Sequence, residues 1–367
     1  MKNNFFTREI CVCAHLAQTR YAQRTCAGMR FFMMDYEMFK EIVREKIKDY
    51  MPLEYGNAVV DILGVNKVNG IRDAIVLRKP GEQLAPNLYL DDFYKDYLQC
   101  DDLEMTLRNM AEKYAGIAER SVKKLEIDMS RMKDRVVMML VNTEQNKEML
   151  ADMPHREFQD LSVIYRYVVA HDEQGVASFK VTNAIMEQVG MTPEELFQCA
   201  AENTKKMFPP KVNSMEYVML GMMEENDISD ELADELAGFC DTDRDPKESM
   251  WLISNSNGVN GAVSMLYDEN LNRLAEKMGT DLYIIPSSVH EVLAVSVEMG
   301  SGNPEELAEM VQQINMSAVE LEDRLSNNVY HYDKDLRQLK LATQVPNQRL
   351  DGVVAEPELI YGTEPKR

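Results

Sequence analysis

The stretch WLISNSNGVNGAVSMLYDENLNRLAEKMGTDLYIIPSSVHEVLAVSV, Trp251–Val297, holds a complete supersecondary unit. Apolar residues at Trp251–Ser254 predict a strand, which a run of Ser, Asn and Gly then interrupts. Val259, Val263 and Leu266 recur at helical spacing, and Leu274 and Met278 mark a second helix. LYIIP and HEVLAVSV read as two paired strands, so the order is β-α-β-β with an antiparallel end.

The same signals extend outward on both sides. Asn303-Pro304-Glu305-Glu306 and Thr192-Pro193-Glu194-Glu195 both read as helix starts, with a capping side chain, proline in the first turn and acids near the positive end of the dipole. The helix opened by Thr192 is expected to run to about Lys206. Upstream, RVVMMLV predicts a buried strand, TEQNKEMLADM a short helix, and LSVIYRYVVA with VASFKVT two strands around a turn at Asp172–Gly175. Asn183 to Val189 reads as helix. Val59–Val65 and Ile71–Leu77 predict a hairpin around Asn69-Gly70. Asp91–Tyr97 and Leu103–Ile127 predict helices, and from Met34 another begins with Met38, Ile42, Val43 and Ile47 on one face.

These elements predict an α+β fold of three small mixed αβ units with antiparallel hairpins, packed into one compact body. The expected divisions are a basic extension at 1–33, then units at 34–130, 131–206 and 250–316. An acidic connection at 207–249 contains Pro209-Pro210 and a helical stripe of Ile228, Leu232 and Leu236. Residues 317–367 read as an extension whose tail loses order after about Leu341.

Composition narrows the function. The chain of 367 residues carries 62 acidic against 40 basic side chains, a net charge of −22. A field of that sign repels phosphate backbones and anionic lipid, which argues against nucleic acid and membrane surfaces and favours a protein partner with a basic surface. No window approaches the roughly 18 apolar residues of a membrane span. Six cysteines without a CxxC pair suit reduced thiols in the cytoplasm. The first 33 residues hold Lys2, Arg8, Arg20, Arg24 and Arg30 against Glu9 alone, with no signal-peptide pattern, and read as disordered or as a mis-called start ahead of Met33 or Met34. The 27 methionines are spread along the chain, as core filler would be.

Several motifs invite chemistry and fall short of it. Cys11, Cys13, His15 and Cys26 do not match structural zinc spacings, and His155, His171 and His331 form no zinc pattern, so no metal is expected. Asp241, Asp243 and Asp245 begin like a calcium loop, but Pro246 stands where glycine is required and Leu252 where the bidentate glutamate belongs. Ser254, Asn255, Ser256, Asn257, Gly258 and Asn260 form a polar knot that could offer backbone N–H groups to a small ligand. Without the Gly-Lys-Ser/Thr of a phosphate loop, a turn with Ser256, Asn257 or Asn260 capping the next helix accounts for it, and no cofactor is expected. Ser288, His290 and Glu291 in PSSVHE suggest a hydrolase, although no G-x-S-x-G elbow is present. Ser288 and His290 would share a strand face, whereas Glu291 would not.

Three segments carry a resemblance: VVMMLVNTEQNKEMLADMPHREFQDLSVIYRYVV, the Leu252–Val295 portion of the opening stretch, and LSNNVYHYDKDLRQL. They resemble an uncharacterised domain-of-unknown-function family of Gram-positive gut bacteria, number 5688, over about Met34 to Leu341. The resemblance implies relatives and no activity. Function therefore rests on the residues, which favour a non-catalytic accessory or adaptor protein binding a protein partner or small ligand. The alternative is a small-molecule hydrolase using Ser288 and His290.

Overall fold

The computed structural model describes residues 34–81, 85–121, 128–172, 175–225, 244–300, 302–344 and 350. The fold is α+β, and its described strands pair antiparallel in three sheets. The chain divides between Asp128 and Met129 into two compact units.

The first unit contains α1 (Tyr36–Lys46), β1 (Val59–Lys67), β2 (Gly70–Arg78), β3 (Leu88–Tyr89), α2 (Leu90–Cys100) and α3 (Leu103–Ser121). α1 starts where Asp35 Oδ1 accepts the Met38 N–H at 2.8 Å. The expected hairpin runs in register from Val59 opposite Arg78 to Lys67 opposite Gly70. Val68 and Asn69 form its loop, and Asn69, at φ 64°, supplies the left-handed residue. β3 is too short to reach Leu77. The buried Tyr114 hydroxyl of α3 takes its place, accepting the Leu77 N–H at 2.7 Å and donating to its carbonyl at 3.1 Å. Phe39, Val43, Leu90, Phe93, Tyr97 and Met110 fill the core around it.

The second unit begins with α4 (Met132–Arg135), β4 (Val136–Asn142), α5 (Lys147–Ala151), β5 (His155–Phe158), β6 (Leu161–Asp172), β7 (Gly175–Lys180), α6 (Asn183–Val189) and α7 (Pro193–Met207). The long β6 pairs with β4 along one edge and with β5 and then β7 along the other. β4 is buried throughout although it is an edge strand. α7 satisfies two groups of its outer backbone: Thr204 Oγ1 accepts the Met138 N–H at 2.8 Å, and Asn203 Nδ2 donates to the Val136 carbonyl at 3.0 Å. α7 opens with the expected Thr192, which forms a reciprocal capping box with Glu195.

The unit continues with β8 (Pro210–Ser214), α8 (Met215–Glu225), β9 (Trp251–Asn255), α9 (Asp268–Met278), β10 (Leu282–Ile285), β11 (Val292–Ser296), α10 (Pro304–Ala318), β12 (Tyr330–Asp333) and β13 (Gln338–Leu341). These strands form a six-stranded sheet in the order β13-β12-β10-β11-β9-β8. Met215, Met219, Tyr283, Val295, Leu307 and Val311 build a core between this sheet, α8 and α10.

Several expectations are corrected. Residues 207–249 are more than a connection: they supply β8 and α8, with Pro210 tolerated because β8 is an edge strand. The extension after Ala318 returns as β12 and β13. Beyond Leu341, the buried Leu350 donates its N–H to Gln145 Oε1 at 3.1 Å, and its carbonyl accepts from Arg324 at 2.6 Å. The helix expected through Val259 shortens to a 3₁₀ turn at Gly261–Leu266, because Gly258 and Asn260 take left-handed backbone at φ 66° and 54°. Neither Asn260 nor Asn303 caps its helix through its side chain. The basic extension 1–33, the stripe Ile228, Leu232 and Leu236, and the tail from 351 lie outside the described residues.

Candidate functional site

The polar knot and the serine-histidine turn meet. Ser254 Oγ donates to the His290 carbonyl at 2.8 Å, and the Asn260 N–H donates to His290 Nδ1 at 3.2 Å. The contact is tight at Gly261. A Cβ there would stand 2.3 Å from Ser254 Oγ, 2.6 Å from the His290 carbonyl oxygen and 2.7 Å from the Asn255 nitrogen.

Within the knot, side chains serve the turn itself. Asn255 accepts the Asn257 N–H at 3.0 Å and donates to the Val259 carbonyl at 2.9 Å, and the Ser256 N–H donates to the Pro209 carbonyl at 2.9 Å. The Asn257 amide donates to His171 Nε2 at 2.9 Å. Gly258 supplies the left-handed step that lets the chain double back.

His290 is held on both sides of its ring. A backbone N–H can only donate, so Nδ1 is the accepting nitrogen and Nε2 carries the proton that goes to Asp323 Oδ1 at 3.0 Å. The hydrogen bond to Asp323 raises the imidazole pKa above its ordinary 6.5, against the opposing effect of burial. Ser288 Oγ accepts the main-chain N–H of His290 at 3.0 Å, while the ring nitrogens face Asn260 and Asp323. Burial pushes the Glu291 carboxyl above the usual carboxylate range, with Asp323 adding to the rise and His290 and a hydrogen bond from the Ser288 hydroxyl opposing it.

A second arrangement lies between the two sheets of the same unit. A cavity of about 320 Å³ opens between hairpin β5–β6 and hairpin β12–β13, closed at the sides by α7, the 3₁₀ turn and α9. Cross-strand partners face it from each hairpin: Arg156 with Val163, and Tyr332 with Leu339. Phe158, Phe197, Met265, Leu266 and Leu271 complete an apolar lining.

The rim is charged. Arg156 stacks over the Phe197 ring at 4.3 Å and approaches Glu194 at 3.5 Å. Asp268 accepts from the Tyr332 hydroxyl at 2.5 Å and pairs with Arg337. These partners, Tyr332 first, hold the Asp268 carboxyl below its ordinary range. Arg337 stands at φ 52°, a left-handed backbone that a long side chain seldom takes. The hairpins are clamped by Asp160, which accepts from Ser326 Oγ at 2.6 Å, Asn328 Nδ2 at 2.9 Å and the Tyr330 hydroxyl. Phe158 stacks on Tyr330 with centroids 6.1 Å apart.

Residues 36–334 match the model of a Family of unknown function (DUF5688). The chain belongs to this family. The match spans parts of both compact units and includes Arg156, Phe197, Asp268 and Tyr332, while Arg337 and Leu339 lie just beyond it. No curated protein and no solved structure matches the chain.

Among the described residues no helix is long and apolar enough to cross a membrane, and no three His, Cys, Asp or Glu side chains group to hold a metal ion. Of the calcium-like aspartates, Asp245 accepts the Lys247 N–H at 3.1 Å, while Asp241 and Asp243 lie outside the described residues. The knot and Ser288–His290 carry a local pattern in the sequence, and the cavity carries almost none. Its local signal is the alternation of Tyr330 with Tyr332 and of Leu339 with Leu341.

Proposed function

We propose that the protein is a non-catalytic binding protein whose small ligand occupies the cavity between the two hairpins. The observation that carries this reading is the cavity itself, with its apolar lining, its arginine-bearing rim and a size within the range of small-molecule sites. The His290 geometry favours binding over the hydrolase alternative. A hydrolase built on Ser288 and His290 needs a ring nitrogen at the serine as its base, and Ser288 Oγ instead meets the His290 main chain. The net charge of −22 supports an accessory role beside a basic partner.

Native mass spectrometry of the protein purified from its source tests the ligand. A small molecule should accompany the wild-type chain and be absent from a Leu339→Trp variant, whose indole fills the cavity from the exposed hairpin. Equal recovery from both would move the ligand elsewhere. If no molecule is recovered and a metabolite extract leaves the melting temperature unchanged, the binding reading falls.

A further inference from the structure

We infer that the ligand of this cavity is an apolar-bodied carboxylic acid, its carboxylate received by Arg156 and Arg337. The inference rests on the binding reading above and adds the chemical class. Side-chain direction decides the sign of the site. On β5, Arg156 and Phe158 point to one face and Glu157 to the other, because strand side chains alternate. Val163, the cross-strand partner of Arg156, lines the cavity, which fixes the arginine's face as the inner one. Glu157, paired with Ser162, belongs to the opposite face.

Four charged residues border the cavity, Arg156, Glu157, Asp268 and Arg337, and strand alternation turns the Glu157 side chain away from the face that carries Arg156. Asp268 has a donor on each oxygen, Tyr332 on one and Arg337 on the other. Arg337 uses one terminal nitrogen in that pair and also meets the Tyr332 hydroxyl, and its five-donor fork has N–H groups beyond those two contacts. Arg156 meets Glu194 only at 3.5 Å and is half exposed. The donors left over are the remaining guanidinium N–H groups of Arg156 and Arg337. A guanidinium fork matches a carboxylate in two parallel hydrogen bonds, and stacking of Arg156 on Phe197 holds one fork in plane. The left-handed backbone of Arg337 fits the same role, since a strained position is retained where it aims a side chain. The walls of Val163, Phe197, Met265, Leu271 and Leu339 then take an aromatic or aliphatic body.

Isothermal titration of the full chain tests this, with 3-phenylpropionate and octanoate as probes and their amides as uncharged counterparts of the same shape. Each acid is expected to bind at least tenfold more tightly than its amide. An Arg156→Gln/Arg337→Gln double variant should lose that preference while keeping the wild-type circular dichroism spectrum. Single variants Arg156→Gln and Arg337→Gln, read in the same way, cover the case in which the double variant fails to fold. Amides that bind as well as the acids would overturn the acid and leave the cavity a ligand site. A preference that survives removal of the arginines would place the carboxylate elsewhere and also overturn the inference. Binding of none of the four compounds overturns it outright, and the binding reading itself then stands or falls on the native ligand and Leu339→Trp.

Discussion

The Ser254–Asn260 knot and the inter-hairpin cavity differ in what their polar groups are committed to. In the knot, Ser254, Asn255 and Asn257 direct their side chains onto nearby backbone or onto His171, and His290 has a partner on each ring nitrogen. In the cavity, two arginines from hairpins distant in sequence keep donor capacity beside an apolar wall. A dense polar run builds a turn by satisfying itself. Chemistry available to a ligand arises where the fold brings together groups that have no local partner. If this contrast is right, substitutions in the knot should change stability, and substitutions at the cavity rim should change binding.

The largest effect is expected at Gly261. Alanine there would place a methyl carbon against Ser254 Oγ, the His290 carbonyl and the Asn255 nitrogen, two of them backbone atoms that cannot rotate away. Gly261 does not need left-handed backbone, so the cost is steric, about 3 kcal/mol from overpacking. Urea unfolding measures it, and a loss below about 1 kcal/mol would show a looser knot than the contrast requires. Asp160→Asn comes next. Its Oδ2 accepts from both Ser326 and Asn328, and its Oδ1 from the Tyr330 hydroxyl, so an amide that keeps its oxygen toward Ser326 and Asn328 turns its NH2 to Tyr330, whose hydroxyl must switch from donating to accepting. About 2 kcal/mol should be lost in the same assay, because a charged acceptor is removed from between the hairpins. No change would mean that the clamp contributes nothing to the position of the cavity walls.

Arg337→Gly should separate stability from binding. Glycine adopts φ 52° without the Cβ penalty, so relief of strain of about 1 kcal/mol offsets the loss of a half-exposed, solvent-screened ion pair. Unfolding should therefore be near wild type, while titration with 3-phenylpropionate should show at least tenfold weaker binding. Clear destabilisation with unchanged binding would reverse the roles assigned to the two regions.

How much of this was legible in the sequence follows from the range of each signal. The β1–β2 hairpin, the buried run Val136–Asn142, the Thr192 capping box and the paired strands β10 and β11 are written in residues close together in the chain. β5 is four residues, three of them exposed, and β8 begins with a proline, so neither carries the periodicity that marks a strand. β12 and β13 are equally short, and pairing with β10 is what makes β12 a buried strand. The knot was visible because Asn and Gly are turn chemistry whether or not a ligand is present. Arg156 and Arg337 were not visible, because a charged residue on a short strand or turn has no pattern until its opposing hairpin is placed.

The smallest expected effect tests whether the knot has any chemistry of its own. His290 holds its proton on Nε2 toward Asp323, and a second proton would have to go on Nδ1, where the Asn260 N–H already points. Asp323 favours the charged ring, so ring protonation should break the Asn260 bond at a pH above the ordinary 6.5. A His290 pKa raised in the fold contributes stability that is fully present below about 6.5 and is lost as pH rises through the folded value. Asp323→Asn should then destabilise the protein more at pH 5.5 than at pH 8. In NMR titrations of the wild-type protein, the His290 ring and the Asn260 amide nitrogen should move together with one midpoint, and in Asp323→Asn that midpoint should fall. A ring that titrates while the Asn260 amide stays still would show that Nδ1 does not hold the turn. The knot would then keep an uncommitted imidazole nitrogen, and its contrast with the cavity would narrow to the arginines alone.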